Sequence, residues 1–252
     1  MLVDIQFAST INKDYVFGAI KFLKSLKKFN PEFNFLYNFL VIDNALSEEE
    51  KKSIKSIYNN CKFIHIENRD YQYNNLSLKW RDWKYNCFNR FDIFLINCDK
   101  LIFFDLDFVC MGSLDELIKI DCEFGAVRGI RENIIDHPNE NYFRGGLMVI
   151  SKKYLNIQTR NNLIELSKEK LWSSDEPVLN TYFTNFTPLP LKFNILTSEY
   201  NDYSNSDIAL LHYVGSKKPW FSNNLKENFD DYILKKQGII TLHKLQTLFN
   251  NK

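Results

Sequence analysis

Over its first 110 residues the chain alternates short apolar runs with segments whose apolar residues fall three and four apart. "VDIQFAS" is a run of strand type. "INKDYVFGAIKFLKSLKKF" follows, with apolar residues at 16, 19, 20, 23 and 26, the spacing of one helix face, and Asn12 stands where an N-cap belongs. "NFLYNFLVID" reads as a second buried strand, and "LSEEEKKSIKSIYNN" as a second helix capped by Ser47. "CKFIHIE" is a third strand, "SLKWRDWKYNCFNRF" a third helix, and "KLIFFDLDFV" a fourth strand. Strand and helix in strict alternation require right-handed crossovers and a mostly parallel sheet.

The second half is mixed. "FGAVRG", "GLMVISK" and "IALLHYV" read as strands, "YLNIQTRNNLIELSKE" and "DEPVLNTYF" as helices, and the tail after Asn223 as two amphipathic helices broken near Gly238. No internal repeat and no Gly/Ser/Pro-rich linker divides the 252 residues, so one domain over 1–252 is expected. Its alternating half would be 1–110 and its mixed half 111–252.

Charge is balanced, 32 Lys and Arg against 31 Asp and Glu, which gives no reason to expect a nucleic-acid partner. The five cysteines, Cys61, Cys87, Cys98, Cys110 and Cys122, form no Cys-x-x-Cys pair and lie mostly in apolar runs. They read as free thiols in a reducing, cytoplasmic setting. "MLVDIQFAS" reads as a strand rather than a signal peptide, and no apolar run is long enough to span a bilayer.

Open α/β sheets bind ligands beyond the carboxyl ends of their strands. No Gly-rich phosphate loop follows the first strand, so a bound diphosphate would need another source of positive charge. "KLIFFDLDFV" supplies one: Asp105 and Asp107, two apart in an extended run, point the same way and offer hard oxygen ligands to Mg²⁺ or Mn²⁺. The bland reading is a turn with two solvated acids. In "LLHYVGSKKPW", His212 closes an apolar strand, Gly215 allows a tight turn, and Lys217 and Lys218 bring charge. An imidazole added to two carboxylates favours Mn²⁺. Here the bland reading is a core histidine followed by a surface turn.

These segments together resemble the family 8 retaining glycosyltransferases, whose members include glycogenin and bacterial lipooligosaccharide galactosyltransferases. The likeness rests on His-x-x-Gly-x-x-Lys-Pro-Trp, the upstream Asp-x-Asp, "FASTINKDYVFGAIKFLKSL", "WKYNCF", "FRGGLMVI" and "SSDEPVLN", all in the family's order. It implies a Rossmann-like nucleotide-sugar-binding α/β fold with a mixed central sheet, of GT-A type. It implies Mn²⁺, with Mg²⁺ as a substitute, on Asp105, Asp107 and His212. It assigns donor contacts to Ala8, Thr10, Asn12, Tyr15, Lys84, Asp105, Leu106, Arg144, Gly145, Gly215 and Lys218, and catalytic roles to Asp175, Glu176 and Lys218. The expected reaction moves a hexose, glucose or galactose, from a UDP-sugar to a hydroxyl of a glycan or protein. The resemblance to glycogenin implies a homodimer; it also raises self-glycosylation at Tyr200 or Tyr203, as the lesser reading, because tyrosine is common in this chain.

Two positions depart from the family pattern. Arg144 stands where an asparagine contacts the donor sugar, and Glu176 where a glutamine lies near the anomeric carbon. Arg144 is expected to read a different sugar or fold back onto a phosphate, with a solvent-facing arginine as the bland reading. Glu176 is expected to stabilise positive charge or act as nucleophile; the bland reading is a helix start capped by Ser173 or Ser174. These substitutions keep a non-catalytic nucleotide-sugar-binding protein as the alternative. A metal-dependent phosphohydrolase is disfavoured, because no second His/Asp cluster provides a two-metal site.

Overall fold

A computed structural model describes residues 3–65, 87–129, 141–170, 172–202 and 207–214. A seven-stranded mixed sheet runs through it in the order β3-β2-β1-β4-β7-β6-β8. The strands are β1 (Ile5–Asn12), β2 (Asn38–Asn44), β3 (Cys61–His65), β4 (Lys100–Phe104), β6 (Phe124–Arg128), β7 (Phe143–Ser151) and β8 (Thr187–Leu189). β1, β2, β3 and β4 are mutually parallel, whereas β7 runs antiparallel to both β4 and β6. A second sheet, β5-β10-β9, is built from Phe108–Cys110, Leu210–His212 and Ile195–Leu196.

The sheet is buried on both faces, and side-chain alternation divides the core in two. Ile102, Phe104, Leu147 and Val149 join Phe7, Phe39 and the inner face of helix α1 (Val16–Phe29), which contributes Phe22, Leu23 and Leu26. Leu101, Phe103, Met148 and Ile150 join Phe88, Phe91, Phe94, Leu163, Val178 and Leu179 on the other face. Phe7 and Phe104 meet edge to face with centroids 5.5 Å apart, a geometry that adds about 1 kcal/mol to the burial of both rings.

The capping expectations hold. Asn12 accepts a hydrogen bond from the Asp14 amide, though it opens a single 3-10 turn (Lys13–Tyr15) that leads into α1. Ser47 and Glu50 form a reciprocal capping box on the helix Glu48–Lys55. Three expectations need correction. "KLIFFDLDFV" is not one strand: β4 ends at Phe104, Asp105–Asp107 form a turn, and Phe108 begins β5 in the second sheet. "NFLYNFLVID" starts with a helical turn, Phe33–Leu36, before β2. The part of "SLKWRDWKYNCFNRF" that is described ends as a 3-10 helix, Asn89–Leu95. The tail helices and Tyr203 lie outside the described residues.

β1 is where the strand order reverses, since β2 lies on one side and β4 on the other. Ala8 pairs with Phe103, so the carboxyl ends of β1 and β4 lie side by side. That crevice is the position at which open α/β sheets take ligands.

Candidate active site

Asp105 leaves the end of β4 and its amide donates to the Gly146 carbonyl of β7 (2.8 Å). Asp107 follows in the same turn. His212 ends β10, which pairs with β5 directly beyond Asp107, opposite Phe108. The turn thus brings the three residues together across two sheets. His212 Nε2 lies 3.0 Å from Asp107 Oδ1 and 3.8 Å from Asp105 Oδ2. One ligand atom from each residue can be chosen so that all lie within 4.8 Å of one another. His212 Nδ1 lies 2.9 Å from Asn194 Oδ1, the kind of contact that orients a ligating histidine and leaves Nε2 turned toward the acids. The ring stacks on Phe108, centroids 4.3 Å apart.

Two carboxylates held this close are costly without a cation. Burial raises the Asp105 carboxyl above its usual range; Arg90 opposes the rise and Asp107 adds to it. Tyr15, on the turn after β1, feels the same charges: burial, then Asp107 and Asp105, push its phenol above its usual range. Two hard oxygens and an imidazole fit a divalent cation.

Sequence reasoning missed Arg90. Its guanidinium is shared between Asp105 Oδ1 (2.7 Å) and Asp175 Oδ2 (3.0 Å), donates to the Gly145 carbonyl (3.3 Å), and lies over the Phe103 ring. Burial lowers its pKa, but Asp105 and Asp175 outweigh that and raise it above the ordinary range. Nothing in "WKYNCFNRF" marks this arginine, because its partners lie 15 and 85 residues away.

The glycine doublet Gly145-Gly146 is the other missed feature. The register between β6 and β7 jumps between Ala126 and Val127, so β7 bulges at these residues, as strands often do beside active sites. A Cβ on Gly146 would stand 2.4 Å from His212 Cε1 and 3.2 Å from Asp105 Oδ2; one on Gly145 would stand 2.8 Å from an Arg90 nitrogen. Only bare backbone admits both clusters.

Asp175 and Glu176 open the helix Asp175–Tyr182. Ser174 occupies the N-cap position without a side-chain cap bond. Asp175 is buried, and its carboxyl is raised by burial against the pull of Arg90. Glu176 accepts from the Gly145 amide (2.7 Å) and from the Tyr142 hydroxyl. Asn180, one turn on, accepts from the Phe143 amide (2.8 Å) and donates to its carbonyl (3.0 Å), docking the helix on β7.

Ala8, Thr10 and Asn12 lie on β1 and Tyr15 on the turn after it, beside the acids; Leu106 is buried between Asp105 and Asp107. Arg144 faces neither solvent nor a free pocket. It is buried, and its guanidinium pairs with Glu199 (2.8 and 2.5 Å) and donates to the Asn194 carbonyl (2.6 Å). Tyr200 is buried in a 3-10 turn. Lys84, Gly215, Lys217 and Lys218 lie outside the described residues.

The family model for "Glycosyl transferase family 8" matches residues 6–224, and the chain belongs to that family. It is 29% identical over 159 residues to the lipopolysaccharide 1,2-glucosyltransferase of Escherichia coli, covering 52% of this chain and 47% of that one. It is 22% identical over 249 residues to the lipopolysaccharide 1,3-galactosyltransferase of Salmonella typhimurium LT2, covering 84% and 72%. The chain spans about half the length of the first of these. The solved structure of the galactosyltransferase LgtC, in complex with donor and acceptor sugar analogs, superposes with a TM-score of 0.70 at 18% identity, covering 97% of this chain and 100% of that one. The α/β fold with a mixed central sheet is therefore the GT-A fold. No helix among the described residues is long and apolar enough to cross a membrane.

Proposed function

We propose that this chain is a Mn²⁺-dependent, retaining glycosyltransferase that moves a hexose, glucose or galactose, from a UDP-sugar to a hydroxyl of a glycan or protein. One observation carries the reading: two carboxylates and an imidazole from separate elements converge at the carboxyl end of β4, in a chain of this family. Asp105, Asp107 and His212 would hold the cation. When bound, the cation supplies positive charge against the diphosphate as its bond to the sugar breaks.

In the reaction the anomeric carbon–diphosphate oxygen bond breaks and UDP leaves with the electron pair. A new bond forms from the acceptor oxygen to the anomeric carbon, and the acceptor proton is released. Thr10 and Asn12 at the end of β1 and Tyr15 on the turn after it would line the place for the uridine, with Ala8 in the strand below them. Arg90 fixes Asp175 so that its carboxylate can orient sugar hydroxyls. Lys84, Gly215 and Lys218 belong to the same reading, as further donors to the diphosphate. Positive charge grows at the anomeric carbon, and Glu176 is the carboxylate suited to meet it. The Gly145 amide and the Tyr142 hydroxyl fix its orientation, so it can stabilise that charge or attack it.

UDP release measured across UDP-glucose, UDP-galactose, UDP-N-acetylglucosamine, UDP-xylose and UDP-glucuronic acid, with Mn²⁺ and with EDTA, tests the reading. Release from one hexose donor, abolished by EDTA, is expected. Metal-independent release would remove the cation from the mechanism. Retained UDP-sugar binding with no turnover on any donor, acceptor glycans included, would reduce the protein to a binder. Glu176→Gln is expected to lower kcat by at least about tenfold while leaving UDP affinity unchanged; an unchanged kcat would exclude Glu176 from the chemistry.

A further inference from the structure

Arg144 is a buried charge that the proposed reaction does not use. It lies on β7 of the main sheet, yet all of its recorded partners belong to the segment 194–199, which enters the second sheet as β9. Two nitrogens grip both oxygens of Glu199, and one of them also donates to the Asn194 carbonyl. Glu199 Oε2 in turn accepts from the Leu196 amide (3.2 Å). The Asn194 backbone is thus clamped from one side while its side chain faces the other way, onto His212 Nδ1. β9 pairs in parallel with β10, Leu196 opposite His212, so this strand also sets the position of the histidine backbone.

We propose that Arg144 and Glu199 are positioning residues for the metal site: they fix Asn194, and Asn194 fixes the tautomer and direction of the His212 ring. The inference rests on the reading of Asp105, Asp107 and His212 as cation ligands. It gives Arg144 a role other than contact with the donor sugar. The geometry favours it on three counts. The pair is bidentate, so it fixes direction as well as distance. Arg144, Asn194 and His212 are all nearly excluded from solvent, at 5%, 0% and 6% exposure, so water cannot replace the missing bonds. And the two acids come from the main sheet's β4 end whereas the imidazole comes from the second sheet, so a strut between the sheets sets the distance between them. Hydrogen-bond partners of a ligating histidine commonly carry 10–100-fold in metal affinity.

The test is Mn²⁺ affinity of the full chain, read from the free-ion paramagnetic resonance signal with no substrate present, beside the thermal midpoint of the metal-free protein. Single removal of either charge leaves the other buried, so the informative variant is the double Arg144→Met, Glu199→Gln. Asn194→Ala is the second variant, and Arg144→Lys keeps the charge without the fork. The double variant and Asn194→Ala are expected to bind Mn²⁺ at least about tenfold more weakly, with Arg144→Lys between them and wild type. Long-range ¹H–¹⁵N spectra should show His212 protonated at Nδ1 in wild type and a mixture of tautomers in Asn194→Ala. A folded double variant that binds Mn²⁺ within twofold of wild type, whatever its midpoint, would overturn the proposal and leave the metal reading intact. Wild-type protein that binds no Mn²⁺, or binds it equally well with His212→Ala, would overturn both.

Discussion

Gly146 has no room for a methyl group, and the atoms that exclude it are those of the proposed cation site. An alanine Cβ would stand 2.4 Å from His212 Cε1 and 2.9 Å from Nδ1. The ring must then turn or shift, against its stacking on Phe108 and its bond to Asn194. Gly146→Ala is therefore expected to destabilise the fold by about 1–3 kcal/mol, the usual cost of overpacking, and to weaken Mn²⁺ binding at least about tenfold. Denaturant unfolding and a Mn²⁺ titration read the two effects separately. Full Mn²⁺ affinity in the alanine variant would show that the imidazole has another way to reach the acids. At this scale the sequence disclosed residue types better than the reasons for them. Asp105, Asp107 and His212 were legible because carboxylates and histidine are rare at the ends of apolar strands. Arg90 and Asn194 were not, since ordinary polar residues acquire meaning only from partners far along the chain. The doublet Gly145-Gly146 was visible as a segment, but nothing in it says that a ring and a guanidinium press on the backbone.

At the scale of elements, the helix Asp175–Tyr182 presents the two acids of the proposed chemistry, and Asn180 determines where it sits. Its amide satisfies both the N–H and the C=O of Phe143, the residue at which β7 begins. Replacing Asn180 with leucine removes both bonds from a buried strand end, at a cost of about 1–3 kcal/mol for each group left without a partner. The helix start should shift with it. Turnover of Asn180→Leu is then expected to fall further than its stability accounts for at a temperature where the variant remains folded. Wild-type kcat in a folded Asn180→Leu would show that Asp175 and Glu176 are held by Arg90 and Gly145 alone. Ser47→Ala, by contrast, removes a surface capping box and should cost about 1 kcal/mol with no effect on turnover, as a control far from the site. Helices with caps at Asn12 and Ser47 were readable because a cap is a local signal. The break after Phe104 was not, because the apolar run continues through Phe108 and Val109 in a second sheet, and hydrophobic pattern carries no record of which sheet a strand joins. β8 and β9, of three and two residues, are too short for any periodicity to show.

Over the whole molecule, the two sheets meet at a cluster of like charge, and this makes the site's energetics a property of the fold. β4 delivers Asp105, the turn delivers Asp107, and Arg90 offsets them from the side of the first sheet. Without a cation the buried pair opposes folding. With one, the same pair becomes a bond between the main sheet and the strand that carries His212. Mn²⁺ that binds the folded chain and not the unfolded one stabilises it by about 2.7 kcal/mol at one hundred times its dissociation constant. The thermal midpoint of wild type should therefore climb with Mn²⁺ concentration and fall back with EDTA. Asp107→Asn removes one of the two charges without removing volume, and so separates two accounts of the cluster. If the acids are there for the cation, metal-free Asp107→Asn should be at least as stable as metal-free wild type, and Mn²⁺ should no longer raise its midpoint. If Asp107 instead serves the fold through its 3.0 Å contact with His212, the variant should be less stable without metal, and wild type should show little response to Mn²⁺. The expected result is the first, because Arg90 divides its charge between Asp105 and Asp175 and leaves the Asp105–Asp107 pair with like charges side by side.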